Sequence, residues 1–70
     1  MSDHVYRVIE IVGSSSGSIE DAINNALQRA SQTVRHLDWF EVNEIRGQIE
    51  DAKAGFFQVG LKVGFRIEDA

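Results

Sequence analysis

The sequence predicts an α+β fold with the element order β-α-β-β. Three observations indicate it: an apolar, β-branched run at residues 5–12, an apolar stripe at helical spacing over residues 18–35, and period-two alternation of apolar residues from residue 37 onward. No shift in composition and no internal repeat divides the 70 residues. We therefore expect a single domain spanning residues 1–70.

The first strand is expected at Val5–Val12, with at least partial burial of both faces because most of its residues are apolar. The Gly/Ser segment Gly13–Gly17 ends it. Ser18 is then a predicted N-cap, with Asp21 three residues later, and the helix is expected over about residues 18–35. Its narrow stripe predicts close packing on a sheet and comprises Ile19, Ala22, Ile23, Ala26, Leu27, Ala30 and Val34.

The second strand carries an irregularity in its alternation. Phe40 and Val42 point to one face, whereas the apolar positions from Ile45 onward have the opposite parity. One extra residue near Asn43-Glu44 would return them to the same face, which predicts a β-bulge there.

A polar turn is expected at Glu50–Gly55, followed by the longest and most regular strand. One face of that strand is apolar and carries Phe57, Val59, Leu61, Val63, Phe65 and Ile67. Its regularity predicts a central position, antiparallel to both other strands. We therefore expect a three-stranded antiparallel sheet with the third strand in the middle and the helix on one face.

The second face of this sheet has no helix to cover it. Its residues mix apolar and polar types and include Trp39, Phe56, Gln58, Gly60, Gly64 and Arg66. Such a patch usually marks a contact with partners or ligands. A chain of 70 residues without Cys also has a marginal core. Both arguments predict self-association with a ligand bound between subunits.

The expected register sharpens this prediction. Matching the core faces sets Arg46 opposite Gln58 and, allowing for the bulge, Trp39 near Gly64. Trp39 and Gln58 of one chain are then about six residues apart along the sheet, roughly 20 Å. If both contact one small molecule, they must come from different chains.

Composition disfavours several functional classes. The net charge of −4, from 7 basic and 11 acidic residues, argues against a nucleic-acid partner. The absence of Cys excludes disulfides and thiolate metal sites, and two His without a dense ligand cluster disfavour zinc. No apolar leader or run of membrane length is visible, so we expect a soluble, cytoplasmic protein without a membrane partner. No nucleophile with an adjacent base stands out, so we expect no enzymatic activity.

Four parts of the chain resemble bacterial dodecins: residues 8–15, residues 35–42, the pair Arg46-Gly47 and the ending from Phe57 to Arg66. The resemblance covers nearly the whole chain and includes its lone Trp. It implies a hollow sphere of twelve subunits, a homododecamer with cubic symmetry. It also implies that flavins bind in antiparallel pairs at two-fold axes, each pair between the Trp side chains of two subunits.

Carried over by motif, the resemblance gives each site residue a role. Trp39 stacks on the flavin and Gln58 hydrogen-bonds the isoalloxazine edge. Arg46 and Arg66 contact the phosphate or the ribityl chain, and Asp38 accepts from a ribityl hydroxyl. FMN is the expected flavin, with riboflavin or FAD as alternatives and coenzyme A as a candidate ligand at a separate site. The implied role is storage or buffering of flavin and protection from its photochemistry.

Simpler interpretations stay open beside these roles. Arg46 and Arg66 could form salt bridges between subunits, and Asp38 could cap the start of the second strand. Trp39 could fill an interface in a purely structural assembly module, which could bind another nucleotide such as coenzyme A. His36 is more simply a structural residue at the helix end, and Gly13–Ser18, which lacks the Lys-Ser/Thr ending of a P-loop, is more simply a connection.

Overall fold

The computed structural model describes residues 3–68 and contains four elements in the predicted order. They are β1 (Tyr6–Ser15), α1 (Ile19–Ala30), β2 (Leu37–Glu50) and β3 (Lys53–Arg66). The strands form one sheet in the order β1-β3-β2, and β3 pairs antiparallel with both neighbours. The predicted α+β class and the central third strand are confirmed. The one helix within residues 3–68 falls short of the length and apolarity needed to cross a membrane.

Strand β1 is buried less than its composition predicts. Ile9 and Ile11 face the helix and are partly buried, whereas Val8 and Val12 on the other face are 48% and 57% exposed. At least partial burial was predicted for both faces, but the second face of β1 is exposed in a single chain. The reason is that within residues 3–68 no element lies on the second face of the sheet.

The helix begins at the predicted cap and packs closely on the sheet. The backbone N–H of Asp21 donates to the Ser18 hydroxyl at 3.0 Å, which satisfies one N–H of the first turn. Ala22 and Ala26 are buried against the strands. A Cβ atom built on Gly13 would overlap the carbonyl oxygen of Ala22. The Ala-rich stripe thus brings the backbones of α1 and β1 into contact.

The helix ends at Ala30, about five residues earlier than predicted. The Ser31 hydroxyl donates to the Gln28 carbonyl at 2.7 Å, and the backbone N–H of Val34 bonds to the Ala30 carbonyl in the following turn. Ser and Thr offer the backbone such alternatives to a continued helix, and the β-branched pair Thr33-Val34 disfavours helix further. Val34 therefore lies outside the helical stripe.

The pairing of β2 with β3 contains the predicted bulge and two further irregularities. The register with β3 shifts between Val42 and Glu44, as the change of parity predicts. It also shifts between Leu37 and Trp39 and between Gly47 and Ile49. Alternation did not reveal these two, because they lie at the strand's ends, where few apolar positions follow to show a change of parity.

The turn between β2 and β3 is shorter than the predicted Glu50–Gly55. Pairing continues to Glu50 and Lys53, so only Asp51 and Ala52 form the turn. Their φ angles are 51° and 62°, both in the left-handed region. A two-residue turn with positive φ at both positions matches the twist of a hairpin. The polarity of this segment therefore reflects exposed strand ends rather than a long loop.

The helix covers less of the sheet than expected, because it packs mainly on β1 and β3. The buried core comprises Ala22, Ala26, Val59, Leu61 and Val63. On the same face, Phe40 and Ile45 of β2 are 47% and 57% exposed. The chain is also elongated, with a radius of gyration of 14.6 Å, against about 11 Å for a compact domain of this length. Both sheet faces thus leave apolar surface for another subunit.

Candidate functional site

Trp39 lies on the open sheet face, opposite Gly64 of β3. A Cβ atom built on Gly64 would lie 2.7 Å from the indole Nε1 and would overlap two indole carbons. The indole therefore lies close against the backbone of β3, where only a glycine leaves room for it. One side of the indole contacts the sheet at Gly64, yet Trp39 remains 42% exposed. The predicted neighbourhood of Trp39 and Gly64 is confirmed.

Tyr6 completes an aromatic cluster with Trp39. Their ring centroids are 6.3 Å apart with the planes tilted by 58°, and the His4 ring meets Tyr6 edge-on at 6.5 Å. Hydrogen bonding to the nearby Asp38 carboxylate raises the pKa of Tyr6; desolvation adds to the rise, and the charge of Arg66 opposes it. Three predicted site residues, Asp38, Trp39 and Arg66, are thus brought together at one end of the sheet.

Tyr6 is a site residue that the sequence did not predict. Its place on the open face was predictable, since Tyr6 has the same strand parity as Val8. It pairs with Arg66 on β3. The missing information was the bulge between Leu37 and Trp39, which inserts Asp38 beside the tyrosine hydroxyl.

Arg46 and Gln58 form the second part of the site, near the hairpin end. They pair opposite each other in the register, as predicted, and Arg46 Nη1 donates to Gln58 Oε1 at 3.5 Å. Arg46 also forms an ion pair with the Glu44 carboxylate. This ion pair lies within one chain, so it is not the salt bridge between subunits considered above, and it orients the guanidinium beside the Gln58 amide.

The two parts of the site lie far apart in one chain. Gly64, beneath Trp39, and Gln58 are six positions apart along β3, which corresponds to roughly 20 Å. The structure thus brings Asp38, Trp39 and Arg66 together and separates them from Arg46 and Gln58. A small molecule that contacts both Trp39 and Gln58 must lie between two chains.

Between the two parts, an amide crosses the central strand. Asn43, the extra residue of the predicted bulge, donates from Nδ2 to Glu10 Oε2 at 3.0 Å. A Cβ atom on Gly60 would lie 2.7 Å from Asn43 Oδ1. The glycine therefore lets a side chain of β2 reach β1, and this contact links the edge strands across the open face.

Two other features follow their simpler interpretations. His36 adopts a φ of 63° and lies 3.8 Å from the Glu68 carboxylate, at the link between helix and strand. In the connection after β1, the Ser15 hydroxyl accepts the backbone N–H of Gly17 at 2.9 Å. Both contacts shape the backbone.

Comparisons with known proteins agree with this architecture. The sequence model of the Dodecin family matches residues 5–68. A dodecin of Thermus thermophilus is 55% identical over 65 residues, which cover 93% of this chain and 94% of the relative. Calcium dodecin of Mycobacterium tuberculosis is 33% identical over 66 residues, 94% and 93% of the two chains. The solved structure of dodecin from Streptomyces coelicolor matches all of both chains with a TM-score of 0.88 and 57% identity. The chain therefore belongs to the dodecin family, and this membership implies an oligomeric assembly.

Proposed function

We propose that this protein stores and buffers flavin, holding FMN as stacked pairs between the Trp39 side chains of symmetry-related subunits in a dodecamer. The observation that carries the proposal is a half-exposed indole, fixed against Gly64 on a sheet face that the helix does not cover. An indole can cover one face of a flavin, and stacking of an aromatic on a base contributes about 1–3 kcal/mol. A second flavin covers the other face, and a two-fold axis supplies the second indole.

Gln58 would recognise the polar edge of the flavin. Its amide has one acceptor and two donor hydrogens, which can match the acceptors and donor of the pyrimidine edge. Since Gln58 and Trp39 are roughly 20 Å apart in one chain, the Gln58 that serves a given flavin would come from a neighbouring subunit. The in-chain contact with Arg46 supports this role, because it orients the amide.

Charged groups at both ends would hold the ribityl phosphate. Arg66 lies beside the Tyr6–Asp38 pair, and Arg46 lies beside Gln58. A guanidinium binds phosphate through two parallel hydrogen bonds, which favours FMN over riboflavin. Asp38 would accept from a ribityl hydroxyl with the carboxylate lone pairs that Tyr6 does not use.

The same stacking would suppress flavin photochemistry. An indole in contact with an excited flavin can donate an electron, which returns the flavin to its ground state without emission. A flavin covered on both faces leaves little room for a substrate, so we propose that the protein is a flavin carrier and not an enzyme.

Titration of the ligand-free protein with FMN tests the proposal. The chain has one Trp, so its emission reports Trp39 alone. We expect flavin and Trp emission to fall together and to saturate at one FMN per subunit, because each indole covers one flavin. A colourless protein that takes up no FMN would contradict the proposal and favour a structural module. Bound flavin as fluorescent as free FMN would contradict the quenching.

Variants at adjacent positions separate stacking from assembly. Trp39→Ala and Trp39→Leu should lose most FMN binding, while light scattering shows an unchanged particle mass. Phe40→Leu is the matched control, since Phe40 is similarly exposed but lies on the opposite sheet face. It should bind FMN as the wild type does. If FMN binding is lost only in variants that also dissociate into smaller particles, the indole has no direct role in binding.

A further inference from the structure

Tyr6 and Trp39 are the only Tyr and Trp of the chain, and their rings lie side by side on the open face. We propose that Tyr6 is a second electron donor, which reduces Trp39 after its oxidation and passes its hydroxyl proton to Asp38. The inference rests on the proposed function, because photoexcited flavin is the oxidant of Trp39.

The ring contact makes the electron step feasible. The centroids are 6.3 Å apart, so the ring edges are closer still, although the two residues belong to the edge strands on either side of β3. Coupling between electron donor and acceptor falls steeply with distance. A transfer between touching rings therefore competes with slower reactions of an oxidised indole, such as attack by oxygen.

The Asp38 carboxylate near the Tyr6 hydroxyl makes the proton step feasible. A tyrosine that loses an electron but keeps its proton becomes a radical cation, which is a strong acid of high energy. With the Asp38 carboxylate near the hydroxyl as a proton acceptor, electron and proton can leave together and a neutral tyrosyl radical forms. The other charged or titratable groups facing the tyrosine are Arg66, its pairing partner on β3, and His4, against its ring.

Electrons and protons balance over the cycle. Excited flavin takes one electron from Trp39, leaving a flavin radical anion and an indole radical cation. Tyr6 then gives one electron to the indole and one proton to Asp38. Return of the electron from the flavin radical to the tyrosyl, and of the proton from Asp38, restores the starting state. The cycle consumes no other reagent and shortens the life of the oxidised indole.

Pulse radiolysis of the ligand-free, assembled protein tests the transfer without flavin. Azide radicals take one electron from indoles, and we expect the Trp radical to decay as a tyrosyl radical rises, more slowly in D₂O than in H₂O. Tyr6→Phe keeps the ring packing and should show a persistent Trp radical and no tyrosyl. Asp38→Asn should slow the transfer, because an amide does not take the proton. His4→Ala, which changes the cluster but not the hydroxyl, should transfer as the wild type does.

The outcomes separate this inference from the flavin proposal. Trp39→Phe shows how much tyrosyl the azide radical forms directly, and the delayed rise should be absent there. No delayed tyrosyl in the wild type overturns the inference and leaves FMN binding untouched. Delayed tyrosyl without FMN uptake supports the Trp39–Tyr6 transfer and overturns the flavin proposal. In FMN-loaded protein under blue light, Tyr6→Phe should lose Trp39 emission irreversibly faster than the wild type.

Discussion

The indole of Trp39 fills the space that a side chain at Gly64 would occupy. The two residues pair across β2 and β3, so the glycine sets how closely the indole approaches the sheet. The obstacle at position 64 is a side chain at the surface and not backbone, which allows the protein to fold around a small substitution there.

Gly64→Ala should therefore leave the fold intact but displace the indole. We expect FMN affinity to fall about ten- to a hundred-fold, the equivalent of losing a stacking contact of about 1–3 kcal/mol. Fluorescence titration with FMN measures it. Gly55→Ala is the matched control on the same strand, because its Cβ would meet only the flexible Glu50 side chain. If Gly64→Ala binds FMN with wild-type affinity, the indole does not depend on close contact with Gly64.

Gly13→Ala should instead damage the fold. Its Cβ would overlap the Ala22 carbonyl, and helix backbone cannot move aside as a side chain can. Overpacking of this kind costs about 1–3 kcal/mol, occasionally more. Urea unfolding of the purified variant measures the loss. Gly17→Ala, whose Cβ would meet only side-chain oxygens of Asp21 and Ser15, should stay near wild type. Equal stabilities of the two variants would argue against backbone contact at Gly13.

The hairpin turn can be improved. Ala52 has a φ of 62°, a conformation that costs a residue with a Cβ atom about 1–2 kcal/mol. Ala52→Gly should therefore raise the free energy of unfolding by about 1 kcal/mol per subunit. Ala54→Gly, two residues later within β3, should lower it by about 0.5–1 kcal/mol. Thermal melts at matched protein concentration would show the opposite signs, and two losses would contradict a left-handed Ala52.

Tyr6 should ionise at a higher pH than ordinary tyrosine. The Asp38 carboxylate accepts its hydrogen bond and repels the phenolate, so the pKa lies above the usual 10.0. Because the pKa of Tyr6 is raised in the folded protein, the protonated tyrosine stabilises the fold. This contribution is fully present below the pKa of the unfolded state and is lost as the pH rises through the pKa of the folded state. Phenolate absorbance reports Tyr6 alone, since the chain has one Tyr. Asp38→Asn should lower the midpoint; an unchanged midpoint would mean that Asp38 is not the partner.

Much of the fold follows from local patterns. The element order, the N-cap at Ser18 and the bulge at Asn43 each depend on neighbouring residues, and all three are confirmed. The register placed Trp39 by Gly64 and Arg46 by Gln58, because alternation in two long strands leaves few ways to match the apolar faces.

The errors arise where particular side-chain contacts or the placement of whole elements decide, and not the spacing of apolar residues. The helix ends at Ala30 because side-chain hydrogen bonds close it, although apolar spacing continues. The exposure of β2 depends on which strands the helix covers, and the spacing of apolar residues along the chain does not show this. The Tyr6–Asp38 pair required a bulge at a strand end, where alternation has too few positions to show it.

Every residue of β2 except Leu37 is exposed in the single chain. A lone protomer therefore has no well-defined stability of its own, because much of the apolar surface it must hide can be hidden only by its neighbours. Any partner that binds only the folded chain favours folding by mass action, and the neighbouring subunits are such partners. Dilution should therefore unfold this protein, and the midpoint of any denaturation curve should rise with its concentration.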